Sequence, residues 1–349
     1  MLFSVLIVLL SIQTRSSFAY AASAMMEECD TKSHDTADDQ TTSLYSTPAP
    51  YKAFETSQHE SSPGNNNQGH FGRFLDAGTG SESLRWVASL FDKSMIESYT
   101  AITADEMMHR RVQAQAHELG ISNKGRIIIG NWIDGVNKNT GKINFSSRRK
   151  KKTGSNNVLL HQGEEAEQFD TILVDYLIGA MDKFSPYFQD VIFERLNAHL
   201  RPGGRLLILG MEPISDESDD KSIAKITTDI KHVRDACQLL AGERPYREFP
   251  LSWIERTLDK VDGLTIVQRK IFPYKYTFEK LAEQIDLGRR RVDKFSSEEL
   301  KAVMTGLLDE LEAKCLKITA GLKDGTFTSG FNYVVVVEKR KTSVKVSAQ

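Results

Sequence analysis

Cysteine is scarce in this chain: Cys29, Cys237 and Cys315 are the three in 349 residues, and they lie far apart. That spacing excludes a disulfide framework and a cysteine-built zinc site. The eight histidines form no H-E-x-x-H or other paired ligand spacing, so no structural metal is expected. Charge of one sign is not in excess either. With 45 basic and 47 acidic residues the formal net charge is -2, which gives no support for nucleic acid or an acidic partner. Long apolar runs are missing too, and no segment is repeated internally. What remains, 40% hydrophobic and 26% charged residues, is enough for one large α/β core.

The N-terminus differs from the rest. Leu2 to Ile12 is apolar but too short for a comfortable membrane span, and small residues follow it in Phe18-Ala19-Tyr20-Ala21-Ala22-Ser23-Ala24. Residues 1–24 read as a secretory signal peptide, although a basic leading region is lacking. A signal anchor, which would bring a membrane contact, and the signal half of a plastid presequence are the alternatives. The acids Glu27, Glu28, Asp30, Asp35, Asp38 and Asp39 argue against the plastid reading, and a mis-assigned start codon would make the protein cytoplasmic. Residues 25–70 are rich in Ser, Thr, Asn, Gln, Asp and Pro, and are expected to be a disordered polar linker.

From residue 71 the pattern becomes regular. Phe74–Asp76, Tyr99–Thr103, Arg126–Gly130, Phe169–Tyr176 and Arg205–Gly210 read as strands, with helix-like spacing between most of them. Residues 134–157 form a polar insertion carrying Arg148-Arg149-Lys150-Lys151-Lys152, expected to be a solvated loop. A helix is expected over Pro186–Leu200, stopped by Arg201-Pro202-Gly203-Gly204. Leu264–Phe272, closing at Pro273, and Phe331–Glu338 are the last strands. Between them, residues 274–330 form a helical insertion with Arg289-Arg290-Arg291, read as a solvated face, and a Ser296/Glu299 capping box opening a long helix. The apolar stripe of that helix is expected to be core or a homodimer surface. The fold expected for residues 71–341, ahead of a polar tail at 342–349, is α/β: a doubly wound, mostly parallel seven-stranded sheet with helices on both faces.

The organising stretch is Arg73-Phe74-Leu75-Asp76-Ala77-Gly78-Thr79-Gly80-Ser81: an apolar strand, an acid, and two glycines before a helix start. In an open α/β sheet this puts a ligand at the carboxyl end of the first strand, where glycine lets backbone N–H groups approach it. The order of Asp76-Ala77-Gly78-Thr79-Gly80, Gly130-Asn131, Phe169-Asp170-Thr171-Ile172-Leu173-Val174-Asp175 and Leu200-Arg201-Pro202-Gly203-Gly204 resembles the class I S-adenosylmethionine-dependent methyltransferases, over about Phe71 to Glu338. The resemblance implies a Rossmann-like methyltransferase fold with S-adenosyl-L-methionine as cofactor. It implies that Asp76, Ala77, Gly78, Thr79 and Gly80 hold the amino-acid and ribose portion, and that Asp105 is a displaced ribose acid. It further implies that Asn131 and Trp132 flank the adenine, with Asp175 in the pocket. Asp175, Tyr176 and Glu212 are the candidates for proton transfer.

Blander roles stand beside these. Asp105 and Glu106 suit a helix N-terminus, Trp132 suits the core, and Tyr176 suits a packed aromatic. Asp175-Tyr176 lacks the Asn/Asp-Pro-Pro-Tyr motif of enzymes that methylate nucleic-acid amino groups, which leaves a small molecule or a protein side chain as acceptor. Two rival functions remain open: a nicotinamide-dependent oxidoreductase, against which the loop lacks a full G-x-G-x-x-G, and a methyltransferase-like binding protein without turnover.

Overall fold

A computed structural model describes residues 46–61, 69–130, 132, 167–215 and 223–341. The expected signal segment, most of the linker, Asn131, the basic insertion at 134–157 and the tail at 342–349 lie outside the described residues.

Seven strands form one sheet: β1 (Gly72–Asp76), β2 (Ile96–Thr103), β3 (Gly125–Ile129), β4 (Phe169–Asp175), β5 (Leu200–Met211), β6 (Leu264–Tyr276) and β7 (Phe327–Lys339). Their order is β3-β2-β1-β4-β5-β7-β6. β1 to β5 are parallel, and β7 runs antiparallel to both β5 and β6. The chain reverses direction across the sheet between β1 and β4, so the carboxyl ends of these two strands flank a crevice.

Alternation along the central strands divides the core into two layers. Leu75, Ile172, Val174, Leu206 and Ile208 face one side, where α4 (Leu177–Phe184), α5 (Ile192–His199) and α7 (Leu251–Leu258) supply Met181, Leu196 and Ile254. Phe74, Leu173, Leu207 and Leu209 face the other side. There α2 (Ser81–Asp92) and α3 (Glu106–Glu118) supply Leu84, Val87 and Val112. A third core, built on Ile230, Ile285 and Leu308, joins α6 (Lys225–Leu240) to the insertion helices α8 (Phe278–Val292) and α9 (Glu298–Ala320).

Part of the expected linker is instead helical. Ala49–Glu60 is helix α1, with Tyr51, Ala53, Phe54 and Ser57 buried. Tyr51 stacks on Trp86 at 4.8 Å between ring centroids, and Phe54 lies 5.9 Å from the same indole. The segment is polar on average, yet two aromatics one turn apart suffice to dock it. Pro50 in the first turn and the three-residue spacing of Tyr51, Phe54 and Ser57 are the signal that was there to read.

The helix does end before Arg201, at His199, but the Pro202-Gly203-Gly204 stretch is a bulge inside β5 and not a free turn. Leu200 already pairs with Phe169, pairing resumes at Arg205 and Thr171, and Gly203 has φ +80°. β6 runs past Pro273 to Tyr276 because it is the edge strand, where a missing N–H costs no ladder bond. The cap of α9 is Ser297, not Ser296: its hydroxyl oxygen accepts from Leu300 N–H at 3.2 Å and donates to Glu299 at 2.8 Å. The helix expected over Pro186–Leu200 starts later, as a 3-10 turn at Gln189–Val191 leading into α5. α4 was not anticipated, whereas α8 lies within the helical insertion expected over 274–330. Arg289, in the arginine run of α8, pairs with Asp286, Asp309 and Glu312, which ties α8 to α9.

Candidate active site

The crevice is built at the carboxyl ends of β1 and β4. Ala77 N–H donates to Leu173 C=O at 3.0 Å and Thr79 N–H to Ile102 C=O at 2.8 Å, so the glycine loop continues the sheet on both sides. Asp76 ends β1 fully buried, and its Oδ1 accepts weakly from Gly78 N–H at 3.4 Å. A Cβ placed at Gly78 would lie 2.8 Å from Leu177 Cδ1, the mobile end of that side chain. Gly80 has extended backbone and precedes α2, where its N–H donates to the Ser83 hydroxyl at 3.1 Å.

Asp175 ends β4 beside Asp76 and is 4% exposed. The Tyr51 hydroxyl of α1 donates to its Oδ2 at 3.0 Å. Burial, with the Asp76 charge behind it, pushes the Asp175 carboxyl up to about 8; burial lifts Asp76 to about 6 against hydrogen bonding that favours its charged form. Asp76 Oδ2 and Asp175 Oδ1 are both buried without a hydrogen-bond partner among the described residues. Two unpartnered carboxylate oxygens buried at one crevice are costly in an interior, and a cationic ligand group with N–H donors would relieve such a burial.

Tyr176 follows Asp175 in a left-handed conformation, φ 47° and ψ 15°, strained for a bulky residue. Its N–H is held by Leu209 C=O at 2.9 Å. Burial and the Asp175 charge hold its phenol well above the usual tyrosine value, so it keeps its proton near neutral pH and makes a poor base. Beyond it opens a cleft lined by Tyr176, Gly210, Tyr246, Glu248, Phe249 and Tyr333. This cleft lies outside the carboxyl ends of β4 and β5, one residue from the pair of acids.

The other expected residues fall differently. Trp132 is 3% exposed; its indole N–H donates to Ala77 C=O at 2.9 Å and its ring packs edge-on to His199. It braces the glycine loop from inside the core, the blander of the two expected roles. Asp105 caps α3, its Oδ1 accepting from Met108 N–H at 2.8 Å. The end of β2 is Thr103, whose hydroxyl donates to Ile128 C=O at 3.3 Å, so no acid stands there. Glu212 accepts from Leu251 N–H at 2.8 Å at the start of α7, a structural bond rather than a free base. Tyr51 is the site residue that sequence reasoning missed, because its helix was read as linker.

No protein-family model matches the sequence, and no curated protein matches it. Among solved structures, the chain is similar to the YcgJ protein of Bacillus subtilis, at 12% identity and a TM-score of 0.44, over 83% of this chain and 99% of that one. It is similar to a methyltransferase of Geobacter sulfurreducens solved with S-adenosyl-L-homocysteine, at 14% identity and a TM-score of 0.38, over 78% and 85% of the two chains. It is also similar to the [4+2]-cyclase SpnF, at 13% identity and a TM-score of 0.37, over 78% and 75%. These likenesses are distant, and the assignment rests on the sheet itself. By its strand order, its reversed seventh strand and the acid–glycine loop at the end of β1, the chain has the fold of the class I S-adenosylmethionine-dependent methyltransferases.

Proposed function

We propose that this protein transfers a methyl group from S-adenosyl-L-methionine to an acceptor seated in the cleft beside Tyr176. The observation that carries this reading is the pair of unpartnered oxygens, Asp76 Oδ2 and Asp175 Oδ1, at the crevice between β1 and β4. A cofactor with an ammonium group and a sulfonium fits two buried acids. The pyrophosphate of a nicotinamide cofactor would meet them as like charges, which counts against the oxidoreductase. Asp76 and Asp175 would take the cationic amino-acid end, and the backbone of the Gly78–Gly80 loop would lie against the ligand. The cofactor supplies the activated methyl group. The chain supplies position: Tyr176 and the cleft walls orient the acceptor and exclude water.

A second reading, cofactor binding without turnover, is favoured by the end of β2, where Thr103 stands and Asp105 is engaged in capping. An assay with methyl-labelled S-adenosylmethionine and small-molecule extracts, with Asp76→Ala as control, separates the two. Labelled product lost in the variant supports transfer; cofactor binding with no product supports the second reading. From the apolar leader we infer the secretory pathway as the compartment, to be tested by mass spectrometry of the mature N-terminus. Retention of Met1 would overturn it.

A further inference from the structure

Helix α1 reaches the pair of acids through one side chain. Tyr51 is 3% exposed, and its hydroxyl donates to Asp175 Oδ2 at 3.0 Å. Burial and the Asp175 charge hold this phenol well above the usual tyrosine value, so it stays a donor around neutral pH. The helix that carries it is held at several points. The Tyr51 ring stacks on Trp86 at 4.8 Å, the Trp86 indole N–H donates to Glu55 Oε1 at 2.9 Å, and Lys93 Nζ donates to the same oxygen at 2.8 Å. Further along, Arg205 Nη1 of β5 donates to Ser57 C=O at 3.0 Å. These bonds tie α1 to α2 and to the sheet, which fixes the Tyr51 hydroxyl at the end of β4.

The two acids divide their oxygens in the same way. Asp76 Oδ1 is turned to Gly78 N–H and Asp175 Oδ2 to Tyr51, which leaves Asp76 Oδ2 and Asp175 Oδ1 without a partner among the described residues. We propose that Tyr51 is a positioning residue for the cofactor site, holding Asp175 charged and rotated so that its free Oδ1 receives the ammonium group of S-adenosylmethionine. The inference rests on the proposed function for the identity of that ligand, and it makes α1, which the sequence presents as linker, part of the site.

A hydrogen bond donated to a carboxylate favours the charged form over the protonated one, and only the charged form pairs with an ammonium group. The groups facing Asp175 make that help necessary. Burial, and next the Asp76 charge at the end of β1, push its carboxyl up to about 8; the Tyr51 bond pulls against them, and Glu82 on α2 adds to them. Tyr176, next to it in the chain, contributes a buried phenol that keeps its proton. Because α1 and the ligand meet at one carboxyl group, each strengthens the hold of the other.

Tyr51→Phe keeps the ring on Trp86 and removes only the hydroxyl. Calorimetric titration of S-adenosylhomocysteine, which carries the same ammonium group, compares the full-chain wild type with this variant at two pH values. Without the bond the Asp175 carboxyl rises further. The variant is therefore expected to bind about fivefold or more weakly at about pH 6.5, and within about twofold of the wild type at about pH 9, where Asp175 is largely ionised in both. Titration of the ligand's own amino group is common to both proteins and drops out of the ratio. A role in packing alone would weaken binding by the same factor at both pH values; that result, or equal affinity at the lower pH, overturns the proposal. Amide exchange in the wild type needs no variant. Saturating S-adenosylhomocysteine is expected to slow exchange over residues 49–60 about tenfold or more while α9 stays unchanged. Unchanged or faster exchange of α1 overturns the proposal even where Tyr51→Phe fails to fold. Failure of the wild type to bind S-adenosylhomocysteine overturns the cofactor reading and this inference with it, whereas binding with a pH-independent ratio overturns this inference alone.

Discussion

At the residue scale the account turns on two carboxyl groups that a folding chain would ordinarily avoid burying together. In the unfolded chain both titrate near ~3.9, whereas the fold lifts Asp76 to about 6 and Asp175 to about 8. The folded state therefore binds protons that the unfolded state has released, and stability falls as pH rises from about 4 through about 8. Asp175→Asn keeps the shape and an acceptor for Tyr51 but removes the charge. Chemical denaturation at pH 5 and pH 8 is expected to show a smaller loss for the variant than for the wild type, by about 4 kcal/mol. An unchanged slope would contradict the burial assigned to Asp175. Gly78→Ala is expected to weaken S-adenosylhomocysteine binding about tenfold or more in calorimetry, since its Cβ crowds Leu177, while stability drops by only about 1 kcal/mol. Asp76, Gly78 and Asp175 were legible because acid, glycine and strand end recur in a fixed order. Trp132 was not, because an indole at a loop reads the same whether it faces a ligand or the core; only its bond to Ala77 C=O decides.

At the scale of elements, the strands of the central sheet were visible and several helices were not. A buried parallel strand such as Phe169–Asp175 is apolar on both faces and stands out from its surroundings. Helix α1 does not: its polar residues dominate, and its stability comes from docking Tyr51 and Phe54 on Trp86. Tyr51→Ala is therefore expected to cost about 3 kcal/mol and to loosen α1 specifically, seen as faster amide exchange over residues 49–60 than in α5. Uniform exchange across both helices would contradict the docking. α9 offers a separate check on local chemistry: Ser297→Ala should cost about 1 kcal/mol in thermal denaturation and Ser296→Ala close to nothing. The neighbouring serines could not be told apart in sequence, since the cap depends on which one leaves the helical path. β6 was read short for a similar reason, because a proline ends a central strand but is tolerated at an edge.

For the whole molecule, the topology follows from where apolar runs and glycine turns fall along the chain, and the reversed β7 completes it between β5 and β6. The three-helix core of α6, α8 and α9 was the least legible part, because its stripes could equally have faced a second copy. The sheet places the crevice at the carboxyl ends of the central strands β1 and β4, and the segment between α6 and α7 carries Glu248 into the lining of the neighbouring cleft. The central claim is that Asp76 and the loop after it form a site for a cationic nucleoside cofactor. Calorimetric titration of S-adenosylhomocysteine, with NADH as comparison, into the wild type and Asp76→Ala tests it most directly. The account predicts micromolar binding of S-adenosylhomocysteine by the wild type, at least tenfold weaker in Asp76→Ala, and no binding of NADH; tight binding of NADH alone, or equal affinity of both proteins for S-adenosylhomocysteine, would contradict it.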